Sequence, residues 1–388
     1  MERPNGMCSH AINYSLPTAS TFITWKRRGS AKRSASSRSS SKEEELMKTQ
    51  HITCTLILLV AAVFVSSVHA QQVTKVGTTA GKFLSIPVGA RALGMGGAFA
   101  AIASDASAMY WNPAGIARLY RTEAVFTHAK WIADINFNYG GVIVPVGDVG
   151  TFGLNFTSLT MDQMERTTEA QPEGTNQFFS AGSFAVGLSY ARNLTEWFSI
   201  GGNVKYVNEY IWNSSASGFA VDIGTLFSTP FKGLAFGAGI SNFGTKMNMT
   251  GDDLLLPVGV SGNAGSNQNL NARLATDYFD LPLTLRIGFA YQVLADEDQQ
   301  LIVALDAYHP NDNTESINVG GEYNVFQRIL ALRVGYKGWG LRDSEEQITF
   351  GAGVNYNVTP GLNVRFDYAF EKFGRLNNVH KFGVGMMF

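Results

Sequence analysis

The sequence predicts an all-β fold, a 14-stranded antiparallel transmembrane β-barrel over residues 122–388 with a plug, or hatch, over 71–121 inside its lumen. Three observations predict it. Apolar residues alternate with small or polar ones in segments of about nine to eleven residues, the length a tilted strand needs to cross a bilayer. The connections alternate between short and long, as they do in outer-membrane barrels. The last segment places Phe382, Val384, Met386 and Phe388 on one face and ends on Phe388.

Composition agrees. Of the 388 residues, 45% are hydrophobic, 12% aromatic and only 16% charged, which departs from an ordinary water-soluble globule and from a disordered chain. After residue 70 no apolar run reaches the length of a membrane helix, so any crossing must be made by strands.

Residues 1–46 hold a Ser/Arg/Lys-rich stretch from Lys26 to Lys42, then Glu43, Glu44 and Glu45, with no periodic pattern. A disordered leader or an over-extended start is expected there. Lys48, the apolar run from Ile52 to Val65 and the small-residue ending Val68-His69-Ala70 form a secretory signal peptide over 47–70, cleaved between Ala70 and Gln71. Cleavage removes Cys8 and Cys54, the only cysteines, so neither a disulfide nor a thiolate zinc site is expected afterwards. It also removes nine of the 30 basic and four of the 31 acidic side chains, leaving 21 against 27. That acidic balance disfavours nucleic acid as a partner.

The barrel segments are expected at 122–131, 136–145, 150–159, 178–193, 198–211, 218–228, 233–242, 281–293, 299–308, 315–324, 329–337, 347–357, 361–370 and 380–388. Leu283, Leu285, Ile287, Phe289 and Tyr291 share one face, opposed by Thr284, Arg286, Gly288, Ala290 and Gln292. The apolar face is expected to meet outer-membrane lipid and the small, polar face the lumen. With the first strand running outward, Gly147-Asp148, Leu194 to Trp197, Thr229 to Lys232, Leu294 to Asp298, Val325 to Arg328 and Val358 to Gly361 make short periplasmic turns. Thr160 to Gln177 and Phe243 to Asp280 then both fall outside, and both termini are expected in the periplasm. Trp131, Trp197, Tyr210, Trp212, Trp339, Tyr356 and Phe370 stand near segment ends, where aromatic belts form. The terminal Phe388 on its alternating strand resembles the recognition signal for the barrel assembly machinery, an expected partner.

Residues 73–121 break the alternation. Gly89, Gly94, Gly96 and Gly97 predict tight turns and close backbone approach, and Ala98 to Ala103 a short helix or strand. The stretch GARALGMGGAF followed by DASAMYWNPAGIARL, which includes Asp105 and Asn112-Pro113-Ala114-Gly115, resembles the PorV/PorQ family of outer-membrane proteins, related in fold to the FadL long-chain fatty-acid transporters. The resemblance implies that this stretch is the hatch. It implies a type IX secretion component that holds or shuttles exported cargo proteins to a surface attachment complex. The alternative is a FadL-like route for long-chain fatty acids or other hydrophobic small molecules. A wide barrel also needs something to occupy its lumen, since fourteen strands enclose more space than inward side chains fill.

Nothing in the spacing builds a catalytic site. His128, His309 and His380 stand alone in their segments, with no metal-ligand pattern and no Ser/Asp pairing, and Asp252-Asp253 lack a calcium-loop ladder. No enzyme, cofactor or metal is expected. The loop from Thr245 to Asp280, with Met247, Met249 and Leu254 to Leu256, is expected to present an adaptable surface to a protein or a greasy ligand.

Overall fold

The computed structural model describes residues 76–259, 270–341 and 344–388. The leader, the signal peptide, the Ala70–Gln71 junction and the first residues of the plug lie outside the described residues. Fourteen strands form the barrel: β1 (Glu123–Lys130), β2 (Asn136–Val146), β3 (Gly150–Thr160), β4 (Ala181–Asn193), β5 (Phe198–Ile211), β6 (Ser214–Ser228), β7 (Leu234–Gly244), β8 (Thr284–Ala295), β9 (Gln300–Pro310), β10 (Ser316–Val325), β11 (Leu330–Trp339), β12 (Glu346–Thr359), β13 (Leu362–Phe373) and β14 (Val379–Met387). Each pairs antiparallel with its sequence neighbours, and β1 pairs with β14 from Glu123↔Met387 to Lys130↔His380, which closes the ring. Closure leaves no sheet edge, the condition for burying strands in lipid.

Period-2 alternation decides which way each side chain points. On β8, Leu285, Phe289 and Tyr291 are exposed on the outer wall, while Thr284, Arg286 and Gly288 are buried inside. On β14, Phe382 and Met386 face out, and Lys381 is fully buried in the lumen. The outer wall therefore carries a continuous apolar face (Phe126, Leu154, Leu188, Ile223, Phe289, Val334, Phe350, Phe366) that only a bilayer satisfies.

β6 begins at Ser214 rather than at 218, because Trp212 adopts a left-handed φ of 50° and tightens the connection into a turn. The loops on the opposite side from the short turns carry two small ladders of their own, Met164–Glu165 with Phe178–Phe179 and Leu255–Val258 with Leu270–Arg273.

The plug fills the lumen as a chain of single turns: a 3-10 turn at Lys82–Ser85, α1 (Ala90–Gly94), α2 (Ala108–Trp111) and a 3-10 turn at Pro113–Arg118. Ala98 to Ala103 form neither helix nor strand but turns, because the backbone there is held by the wall rather than by itself. Phe388 lies at the short-turn end, its N–H donating to the Thr122 carbonyl. The first described residues lie at the long-loop end, where the Ala80 N–H reaches Asp280 and the Thr79 hydroxyl reaches Asp312. The described chain thus begins and ends at opposite mouths of the barrel; the N-terminus that the sequence reading put in the periplasm lies outside the described residues.

Two aromatic and loop expectations change. Trp197, Trp212, Trp339 and Tyr356 are exposed, as belt residues are, but Trp131 turns into the lumen mouth, edge-on to Phe373 at 5.1 Å and 5.8 Å from the Lys381 ammonium. Met247 is not a surface residue. It is buried with Leu281 against Phe83, Leu84 and Val88, so the base of that loop closes over the plug.

Candidate functional site

The inward glycines of the wall explain how the plug is seated. Glycine weakens a strand, and its recurrence on the lumen face calls for a close backbone approach. A Cβ at Gly201 (β5) would stand 2.5 Å from the Pro113 carbonyl, and one at Gly351 (β12) 3.0 Å from the Gly94 Cα. Those at Gly224, Gly237, Gly320 and Gly335 would overlap Asn112, Ala100, Met95 and Gly96. Met109 is received in the same way by Gly141 and Gly153. The plug therefore touches the wall backbone to backbone on β5, β7, β10, β11 and β12, and through the Asn112 and Met109 side chains on β6, β2 and β3.

The residues singled out in the sequence lie within this seat. Gly94 is in α1; Gly96 and Gly97 carry φ of 65° and 77°, which only glycine adopts freely, and they turn the chain where it meets β11. Asn112 is fully buried: its Nδ2 donates to the carbonyls of Ala100 (2.8 Å) and Thr225 (2.9 Å), and its Oδ1 accepts from the Ala114 N–H, capping the Pro113–Arg118 turn. Pro113 at the first position of that turn has no N–H to leave unpaired. Gly115 lies so near the Ala103 carbonyl that no side chain fits.

Asp105 joins a charge network at the short-turn half of the lumen. Arg91 binds Glu322 through Nε and Nη2 and reaches Asp105 at 3.3 Å. Arg333 bridges Glu322 and Asp367 at 2.7 Å each, and Arg365 bridges Asp367, Asp105 and Glu123. Burial pushes the Asp105 carboxyl up, but Arg365 and Arg91, with the Ser107 hydroxyl and N–H, pull it further the other way and hold it below the ordinary carboxylate range. Elsewhere Asp306 on β9 accepts from the N–H groups of Phe99 and Ala100, and Lys381 donates to the Pro87 carbonyl. None of Arg91, Glu322, Arg333, Arg365, Asp306 or Lys381 was singled out. Arg91 had been visible only as a charge inside the plug motif and the others only as charges on lumen faces. Arg91–Glu322, Asp306–Phe99, Arg365–Glu123 and Lys381–Pro87 join positions more than 200 residues apart, whereas Arg333 and Glu322 face each other on adjoining strands.

Phe382, Val384, Met386 and Phe388 lie on β14 and its end, away from the plug, with Phe388 exposed. The histidines stay apart: His128 meets Asn138, His309 meets Glu315 and His380 meets the Tyr368 hydroxyl. Among the described residues no group of His, Cys, Asp and Glu converges as a metal site.

Above the plug, at the long-loop end, lies a vestibule of about 390 Å³. Its floor is the plug (Phe83, Ile86, Pro87, Gly97, Tyr110, Trp111) and its sides come from the strand ends and loops (Trp131, Leu159, Arg286, Tyr308, Lys337, Leu341). Burial pushes the Tyr110 phenol up to about 12, against the pull of the Arg286 cation. A separate cleft of about 550 Å³ opens where β7 loses its pairing with β8 beyond Ser241, lined by Thr78, Phe243, Tyr278 and Leu281. There Asn242 takes a left-handed φ of 63° and its N–H donates to Asp222 at 2.7 Å, bulging the strand.

A model of an uncharacterised protein family (UPF0164) matches residues 57–209, less than half of the chain, taking in the plug and the first strands. No curated protein matches the sequence. Among solved structures the chain is similar to the Pseudomonas putida toluene transporter TodX, with 13% identity over 77% of this chain and 96% of that one, at a TM-score of 0.49. It is similar to CymD, a monoaromatic hydrocarbon channel, with 13% identity over 78% and 97%, at 0.48. A third, the Ralstonia pickettii toluene transporter TbuX, has 11% identity over 77% and 97%, at 0.47. The barrel described above stands on its own strand pairing.

Proposed function

We propose that the protein sits in a bacterial outer membrane and admits small hydrophobic compounds from outside, with the N-terminal plug as its gate. The carrying observation is the vestibule, an apolar and aromatic hollow that runs from the long-loop mouth down to the plug residues Gly97, Tyr110 and Trp111. A concave, largely apolar hollow with a few polar groups is the form a small-molecule site takes. Below it the plug core of Met95, Phe99, Met109 and Ile116 packs tightly against Ile143, Ala191, Ala290 and Ala304 of the wall, so a ligand passes only when the plug shifts or when a route opens beside it.

Deleting the gene and measuring uptake of radiolabelled toluene and oleate beside the surface proteome tests this reading. Uptake of at least one falls while surface proteins stay unchanged. Normal uptake with cargo proteins retained in the periplasm overturns it in favour of the secretion role that the PorV/PorQ resemblance implies. That second reading is favoured by one feature, the exposed apolar hairpin of Leu255, Leu256, Val258 and Leu270, a docking surface for a protein.

A further inference from the structure

Arg286 is the third residue of β8, points into the lumen and is 6% exposed. Its guanidinium carbon lies 5.0 Å from the ring centre of Trp111, 5.3 Å from Tyr308 and 5.4 Å from Tyr110. Rings on its faces stabilise a desolvated cation while leaving the N–H groups in its plane free to donate. Among the described residues no carboxylate forms an ion pair with it. Asp306, on the adjoining strand, turns Oδ2 to the N–H groups of Phe99 and Ala100, and Arg286 acts on its carboxylate only at longer range, without a salt bridge. The other two cations of the vestibule, Lys82 and Lys337, have carboxylate partners in Asp312 and Glu371, at 2.5 Å and 3.0 Å. No carboxylate lines the vestibule among the described residues. A buried cation is ordinarily paired, and this one faces a hollow that no acid among the described residues lines.

We infer that Arg286 is a binding residue for the carboxylate of a compact aromatic acid, which completes the ion pair while its ring lies among the aromatic walls of the vestibule. The inference rests on the reading of this vestibule as the entry site for hydrophobic compounds and narrows it to an anionic class. The planar guanidinium matches a carboxylate through two parallel hydrogen bonds, which neither a neutral hydrocarbon nor an alcohol can complete. Aromatic bodies suit the walls because Trp111, Tyr308, Trp131 and Phe83 offer ring edges and faces rather than a long aliphatic sleeve.

The test uses the purified full-length barrel in detergent and follows tryptophan quenching by 2-naphthoate, 2-methylnaphthalene and laurate. Folding of every variant is checked by heat-modifiable migration. The wild-type protein binds 2-naphthoate at least about tenfold more tightly than 2-methylnaphthalene, the scale of one charge-assisted hydrogen-bonded pair. Arg286→Met collapses that ratio to near unity, and Arg286→Lys restores part of it. An unchanged ratio in Arg286→Met overturns the role of Arg286, and laurate binding more tightly than 2-naphthoate overturns the aromatic class. If 2-methylnaphthalene binds and the acid does not, the anionic inference fails while the hydrophobic entry site stands. If none of the three binds, both fail.

Discussion

The guanidinium of Arg91 grips the carboxylate of Glu322 through two hydrogen bonds of 2.8 Å, Nε to Oε2 and Nη2 to Oε1, joining the plug to β10 across 231 positions of sequence. A fork of this kind, away from water, is much stronger than a surface ion pair, and removing one partner strands the other. Arg91→Met is expected to weaken plug docking by about 3–5 kcal/mol. Protease cleavage between residues 80 and 118 of the detergent-folded protein should accelerate, with the barrel itself intact on a gel. Cleavage at the wild-type rate would show that the pair does not hold the plug.

The glycine seat gives a sharper contrast. Gly140→Ala on the outer face of β2 and Gly335→Ala on the lumen face of β11 are the same chemical change, but nothing lies within 4 Å of a Cβ at Gly140, whereas one at Gly335 overlaps the Met95–Gly96 backbone. Gly335→Ala should raise outer-membrane permeability to vancomycin by displacing the plug, while Gly140→Ala should leave it unchanged. Equal permeability in the two variants would refute the seat.

Asn112→Asp replaces an amide donor by a carboxylate facing the carbonyls of Ala100 and Thr225. Two donors are lost and a buried charge meets two acceptors, so docking should weaken by roughly 2–5 kcal/mol. Hydrogen exchange at residues 100–118 reads the effect. Retained protection would mean that these carbonyls do not depend on Asn112.

Acid should release the plug late. The pKa of Asp105 is depressed when docked, so its contribution is fully present above the ordinary Asp value of about 3.9 and is lost as pH falls through the lower docked value. Protection factors of plug amides should hold from neutrality to about pH 4 and drop only below it. In Asp105→Asn that acid step should shrink. A release between pH 5 and 7 in the wild-type protein would assign the latch to another group.

Much of this fold was legible because alternation is local. Leu285, Phe289 and Tyr291 sit two or four residues apart and report their common face without knowledge of any partner. The plug position was legible as a break in that alternation, and Gly96 and Gly97 announced their turns. What stayed hidden was every pairing that needs the ring to close. Arg91 and Glu322, Asn112 and Thr225, Lys381 and Pro87 have no sequence spacing that connects them, since the barrel alone brings them together. Trp131 was read as a belt residue because its place at a strand end is common to both fates; the buried Lys381 beneath it selects the inward one. Arg286 looked like one more lumen charge, and only the paired state of its neighbours sets it apart.

The hold of Lys381 on the Pro87 carbonyl bears on how the molecule is made. Pro87 is among the first parts of the plug to leave the ribosome, and Lys381 is on the strand that zips the cylinder shut against β1. Where β5, β7, β10, β11 and β12 meet the plug, the wall glycines leave no clearance, which opposes threading the plug into a finished cylinder. The fit favours a hatch in place before the seam seals, like a ship built into its bottle, and the closing strand carries the side chain that fastens it there.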